Sequence, residues 1–195
     1  MTFTQKLNKT IFAIALIALC DFCIADSMGD LSAKSDLAGD EYNRVAEVEQ
    51  YGEDNEVYIS QTGDNVEAHV YQDGEDNEVS ISQEGKNNRA DVYQDGEDHV
   101  AHLSQSGENH IADVAQYGED NLLELTQSGN SNTATISQDG TNNHASIEQT
   151  GANNIADVDQ QGRNNKVEIN QLGDNGNAGV KQYGNNMKAY IDQGI

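Results

Sequence analysis

The residues able to do chemistry in this chain are carboxylates, histidines, tyrosines and a long series of side-chain amides. Asp and Glu number 34 against ten Lys and Arg. A catalytic acid and base must sit in unequal surroundings that drive their pKa values apart. Here the acids recur in one repeated, exposed context, so no pair is singled out. The patterns G-x-S-x-G, G-x-x-x-x-G-K-S/T and H-E-x-x-H are missing. The sequence predicts no enzyme, no cofactor and no dedicated metal site. Two weaker constellations remain. The acid couples Glu53-Asp54, Glu75-Asp76, Glu97-Asp98 and Glu119-Asp120 recur every 22 residues. Stacked along one edge they would repel one another and respond to salt, serving as gatekeepers against premature assembly or, alternatively, holding calcium. His99 and His110, with His102 nearby, could ligate a metal, but they occupy places where Asn is usual and read better as polar substitutes.

The amides carry the stronger signal. Gln occurs at 50, 61, 72, 83, 94, 105, 116, 127, 138, 149, 160, 171, 182 and 193 without a slip. Each unit of eleven is numbered here from its Gln as position 0. Position 2 is glycine in thirteen successive units: Gly52, Gly63, Gly74, Gly85, Gly96, Gly107, Gly118, Gly129, Gly140, Gly151, Gly162, Gly173 and Gly184. Position 5 is Asn at 55, 77, 88, 121, 132, 143, 154 and 165, position 7 is Ala, Val or Leu, and position 9 is Val, Ile or Leu up to Ile191. Candidate ladder residues are therefore Gln50, Asn55, Gln61, Gln72, Asn77, Gln83, Asn88, Gln160, Asn165, Gln171, Gln182, Ile191 and Gln193.

This spacing dictates the elements. Positions 5, 7, 9 and the next Gln lie two apart, so in a strand they share one face, while charged and hydroxyl residues fill the other. Glycine at position 2 accepts positive φ and marks a turn. Each unit reads as a strand of about six residues plus a tight turn. A period of 22 lies beneath: alternate units carry Ala at 68, 90, 112, 134, 156 and 178, and the intervening units are larger on average. The expected fold is an all-β, two-sheet solenoid of 22-residue coils, cross-β in character, about six and a half coils and about 31 Å long. One coil cannot stand alone. A strand's Ala and Ile or Val contribute about 2–4 kcal/mol of burial, whereas ordering costs about 1–2 kcal/mol per residue. Neighbouring rungs must supply the rest, and inward Asn and Gln can bond to their copies in the next coil.

The domain organisation follows from composition. Residues 1–25 read as a secretory signal, with Lys6 and Lys9 before an apolar run over 11–19 and a small-residue cleavage site at Ala25. That run is too short to span a bilayer, and Leu19 argues against lipid attachment at Cys20. No transmembrane segment is expected in the mature chain. Both cysteines, Cys20 and Cys23, lie in the leader, so the mature chain carries no disulfide although it leaves the cytosol. Residues 26–49 form an N-terminal segment, and 50–195 the repeats. Residues 26–159 carry a net charge of −26, which argues against nucleic acid as a partner and keeps exported chains apart.

Units such as Gln83-Glu84-Gly85-Lys86-Asn87-Asn88-Arg89-Ala90 and Gln138-Asp139-Gly140-Thr141-Asn142-Asn143-His144-Ala145 resemble the curlin repeats of the curli system. The resemblance covers 50–195. It implies a subunit of extracellular amyloid fibres at the cell surface, secreted via the periplasm and through an outer-membrane export pore with accessory proteins. It also implies partnership with other curlin subunits, and a role in adhesion and biofilm. Residues 26–49 lie where that family keeps its export-targeting segment, here with only a degenerate unit (Asn43, Ala46, Val48). Asp36-Leu37-Ala38 with Glu41-Tyr42-Asn43 is similar to the start of the minor, nucleating subunit, as is Tyr190-Ile191-Asp192-Gln193 to a motif of its repeats. The regular final unit equally fits a major subunit. Both solenoid ends lack an evident cap, so head-to-tail self-association is expected. A further alternative is a monomeric, cation-binding adhesin-like solenoid. An ice-binding solenoid would need a flat, uniform outer array, and a polysaccharide-acting β-helix would need longer loops. Neither is present.

Overall fold

The computed structural model describes residues 22–28, 31–36 and 43–194. Most of the expected leader, and residues 37–42 of the N-terminal segment, lie outside the described residues.

All described elements are strands: β1 (Phe22–Met28), β2 (Leu31–Asp36), β3 (Val45–Asp64), β4 (Glu67–Glu75), β5 (Glu78–Lys86), β6 (Arg89–Glu97), β7 (Val100–Glu108), β8 (Ile111–Glu119), β9 (Leu122–Asn130), β10 (Thr133–Thr141), β11 (His144–Ala152), β12 (Ile155–Arg163), β13 (Lys166–Leu172), β14 (Asn177–Asn185) and β15 (Lys188–Gln193). Strand β3 runs through a corner and contributes to both faces of the solenoid. Its first half is followed on one face by β4, β6, β8, β10, β12 and β14, and its second half on the other by β5, β7, β9, β11, β13 and β15. Pairing within each face is parallel and displaced by 22 residues, so that Ala68 meets Ala90, Gln72 meets Gln94 and Gly74 meets Gly96. The expected two-sheet β-solenoid with 22-residue coils is the fold.

The core is a strip of small and medium side chains between the faces. Ala68, Ala90, Ala112, Ala134 and Ala156 on one face, and Val57, Val79, Leu123 and Val167 on the other, are at most 1% exposed. Position 9 supplies a second buried row from Ile59 to Ile169. At the last rung, Ala189 and Ile191 are only partly buried, because no strand lies beyond them among the described residues.

Four details differ from the sequence reading. The strands are mostly nine residues long rather than six, extending from position 6 through the following Gln and Gly to position 3. The chain reverses at position 4 instead, where Asn, Asp or Ser adopts φ of 49 to 60° from Asn43 to Asn186. Turning is thus shared with the position 2 glycines, whose φ is also positive, and these glycines remain in the ladder. There are seven rungs on each face among the described residues, not thirteen units in all, because residues 45–53 pair with β4 as a first rung. Finally, the N-terminal edge is not open. β1 pairs antiparallel with the second half of β3, and β2 with the first.

Candidate functional site

The two inward columns of glutamine are continuous hydrogen-bonded ladders. On one face Gln50 Nε2 donates to Gln72 Oε1 at 2.7 Å, and the series continues through Gln94, Gln116, Gln138, Gln160 and Gln182 at 2.8 to 3.0 Å. On the other face Gln61, Gln83, Gln105, Gln127, Gln149, Gln171 and Gln193 do the same. The second amide hydrogen donates to a backbone carbonyl, as from Gln116 to Val100 and Asn121. Amides buried without partners would cost several kcal/mol each; here each interior one is satisfied by its own copy.

The asparagines work differently from the expectation. Asn121 Nδ2 donates to the Tyr117 carbonyl four residues back and to the Gly140 carbonyl on the next coil, while its Oδ1 accepts the Asn143 N–H at 3.0 Å. Asn55, Asn77, Asn88 and Asn165 follow the same scheme toward Gly74, Gly96, Gly107 and Gly184. Asn thus ties backbone of successive coils together rather than pairing side chain to side chain; Asn77 bonding Asn55 Oδ1 at 3.0 Å is an exception. The glycines complete the corner. A Cβ on an interior position 2 glycine would lie within 1.8–2.2 Å of the carbonyl oxygen of the glycine one coil on.

The profile of the curlin associated repeat matches nine overlapping windows, from 45–74 and 52–85 through to 151–184 and 162–194, which together reach from 45 to 194. The chain belongs to the curlin family. A search of curated proteins found no match. The first curlin window begins at Val45, where the first rung begins, ahead of Gln50. Curlin repeats on a β-solenoid make the chain a structural, amyloid-like curli fibre subunit, assembling with other curlins outside the cell.

Within this curlin the two buried histidines stand in for asparagine and keep its bonds to the carbonyl four residues back and to the position 5 residues of the neighbouring coils. The His99 backbone N–H donates to Asn77 Oδ1, its Nε2 faces the Asp95 carbonyl at 3.3 Å, and the Asn121 N–H donates to Nδ1 at 3.3 Å. His110 repeats this with Asn88, Ser106 and Asn132. Both rings must therefore be neutral with the proton on Nε2, and burial lowers both pKa values below the ordinary histidine range. Asp95, Asp98 and Asp120 partly oppose the shift at His99. Among the described residues no group of three or more His, Cys, Asp or Glu side chains is placed to hold a metal ion.

The structure also brings forward residues that the sequence reading passed over. The position 4 residues of one corner form an exposed amide ladder, with Asn43, Asn65, Asn87 and Asn109 bonded in series at 2.8 to 3.1 Å. The opposite corner carries the aspartates of the acid couples already singled out in the sequence, Asp54, Asp76, Asp98 and Asp120, in four consecutive coils, tied by backbone bonds such as Asp98 N–H to the Glu75 carbonyl. The acid couples do stack along one edge. The signal for the asparagine ladder was the Asn at position 4, recurring beside the conspicuous position 5 Asn.

The two ends of the ladder are complementary. Gln50 Oε1 is buried and has no donor among the described residues. At the other end Gln182 is 2% exposed and has no further glutamine to bond; its Nε2 reaches only the Lys166 carbonyl at 3.3 Å.

Proposed function

We propose that subunits of this curlin add head to tail, with β14 and β15 of one chain receiving the first coil of the next, in parallel and in register. The observation that carries this is the orphaned Gln50 Oε1. A buried acceptor without a donor costs about 1–3 kcal/mol. An antiparallel strand such as β2 cannot continue a parallel Gln ladder, whereas Gln182 Nε2 of a second copy would extend it by one step. Growth then requires β1 and β2 to leave the edge of β3. Residues 22–25 of β1 belong to the expected leader, so its removal on export would shorten the covering strand. Heterologous contacts of this kind do not close and give filaments.

The proposed role within the fibre is that of the minor, nucleating subunit. Its support is the segment around Asp36 and Asn43 and the motif at residues 190–193. One observation favours the major subunit as a second reading: β15 stays in full register with β13, as an interior rung would. Adhesion, biofilm support and export through the dedicated outer-membrane pore, with residues 26–49 as targeting segment, complete the proposal.

Two experiments test it. Removing residues 182–195 should abolish seeding by preformed fibre tips while the remaining coils keep their β circular dichroism; unchanged lag and yield would refute C-terminal templating. Deleting the gene separates the roles. Release of unpolymerised partner curlin marks a nucleator, and loss of the fibre's main protein marks the major subunit.

A further inference from the structure

The register that lets Gln182 donate to Gln50 of a following copy fixes every other residue across the joint. Inner residues repeat every eleven, so the ladder alone also accepts a slip of eleven that sets Gln182 on Gln61. Outer residues do not repeat, and they alone tell the two faces of the solenoid apart. On the face that continues into β4, the outward row of position 10 begins at Glu49 and ends with Asp159 and Lys181. On the face that continues into β5, the outward row of position 6 begins with Glu56 and Glu78 and ends with Lys166 and Lys188. A single chain thus holds like charges side by side at both tips of this second row, which is unfavourable.

Stacking in register sets Lys181 beside Glu49 and Lys188 beside Glu56 of the next copy. Lys181 then stands between Asp159 and Glu49 in its row, and the two lysines of the other row meet its two glutamates. Both Lys181 and Lys188 are exposed, and neither makes an ion pair among the described residues. Tyr183 and Tyr190, 57% and 62% exposed, come over Tyr51 and Tyr58. Tyr71 and Tyr93 already adopt that arrangement one coil apart within the chain, stacked at 4.8 Å. At the adjoining corner Gly176 replaces the position 5 asparagine, leaving a hollow of about 430 Å³ lined in part by Asp174. Arg44 of the next copy falls over it. In the slipped register Lys181 would meet Ser60, Tyr183 would meet Thr62 and Tyr190 would meet His69. Lys188 alone would keep an acid, Glu67.

We propose that the outer side chains of the terminal rungs key the joint, so that the C-terminal tip selects the first coil of a second copy of this chain on one face and in one register. The proposal rests on the head-to-tail reading above and adds what decides face and register. An exposed ion pair contributes little by itself. Charges set in opposite signs at two places still discriminate, because a misplaced or mismatched partner loses attraction and meets repulsion. Salt screens the charges and narrows the choice.

A charge-swapped mature chain tests this, carrying Lys181→Glu and Lys188→Glu together with Glu49→Lys and Glu56→Lys at unchanged net charge. Its tip and first coil complement each other again, so it should extend its own seeds at the wild-type rate, measured by sedimentation. On wild-type seeds like charges meet at either tip, and elongation at low salt should slow about tenfold or more. Chains with only the two lysine substitutions, and chains with only the two glutamate substitutions, should each extend the other's seeds faster than their own. The proposal is overturned if the swapped chain extends wild-type seeds as fast as its own, or if each half-swapped chain prefers its own seeds. Failure of both the swapped chain and the half-swapped mixture to assemble equally overturns it. A disulfide read-out separates the keying from the head-to-tail reading. Fibres grown from equal amounts of Ser60→Cys and Asp192→Cys chains should cross-link on oxidation, because these positions face one another across the joint. Cross-linking without charge selectivity would sink the keying and leave head-to-tail addition standing; absence of cross-linking would sink both.

Discussion

Replacing one glycine at two heights of the same corner separates folding from growth. Gly140 has φ of 121°, and a Cβ there would lie 2.0 Å from the Gly162 carbonyl oxygen. Gly184 has φ of 141°, but its Cβ would meet only Met187 Sδ at 3.5 Å, since no further coil lies over it among the described residues. Gly184→Ala therefore costs a single chain only backbone strain, about 1–3 kcal/mol. Gly140→Ala carries the same strain and must also push the next coil away. Losing two or three ladder bonds, at about 0.5–1.5 kcal/mol each, brings its total to about 2–7 kcal/mol. That is a large share of the about 5–15 kcal/mol holding an ordinary domain folded. Urea unfolding followed by circular dichroism should show Gly140→Ala strongly destabilised and Gly184→Ala mildly so. In the fibre the terminal position becomes the informative one. A second copy stacked in register brings the carbonyl of its Gly52 against the methyl group introduced by Gly184→Ala, and a clash worth about 2–3 kcal/mol weakens each addition about 30- to 150-fold. Wild-type seeds given Gly184→Ala chains should take on one layer and stop, as measured by sedimentation of seeded reactions. Elongation at the wild-type rate would refute continuous in-register stacking; wild-type stability of Gly140→Ala would refute the corner geometry itself.

Three further outcomes are expected. Gln116→Leu removes the amide between Gln94 and Gln138, and urea unfolding should register a loss of about 2–4 kcal/mol from the broken ladder and stranded partners. His99→Asn with His110→Asn should flatten the pH dependence of stability. Both histidines have lowered folded pKa values, so their contribution is complete above the unfolded value of about 6.5 and is lost as pH falls below it; an identical decline in urea midpoint from pH 7 to 5 in the variant would contradict this. Asp76→Asn with Asp98→Asn keeps the left-handed corner, as Asn142 and Asn164 already do, and removes stacked charge. Assembly at low salt should accelerate and lose much of its salt dependence, read from lag times between about 10 and 300 mM salt.

Much of this architecture is legible in the sequence because a strand's side chains alternate with period two. Asn or His at 5, the apolar residues at 7 and 9 and the following Gln all end on one buried face. What escaped reading has physical causes. Asn at 4 and Asn at 5 are the same letter, and only backbone φ tells the corner from the ladder. The inward glutamines bond to their copies one coil away, whereas the inward asparagines sit beside the corner and bond mainly to backbone, as Asn55 and Asn165 do to glycine carbonyls; at position 4 asparagine does pair with its copy. The first rung lacks both the leading Gln and the Gly of a full unit, yet Ala46, Val48 and Gln50 suffice to bury its inner face. Strands β1 and β2 follow no repeat, so pairing with β3 left no periodic trace.

Every glutamine from Gln50 to Gln160 offers its hydrogen toward the C-terminal coil, and its oxygen faces the N-terminal one. A thread built this way has a front and a back. One tip advertises unspent donors, the other unspent acceptors, and small dipoles align along the whole length. Whatever grips one tip at the cell surface thereby decides which chemistry every later arrival must meet.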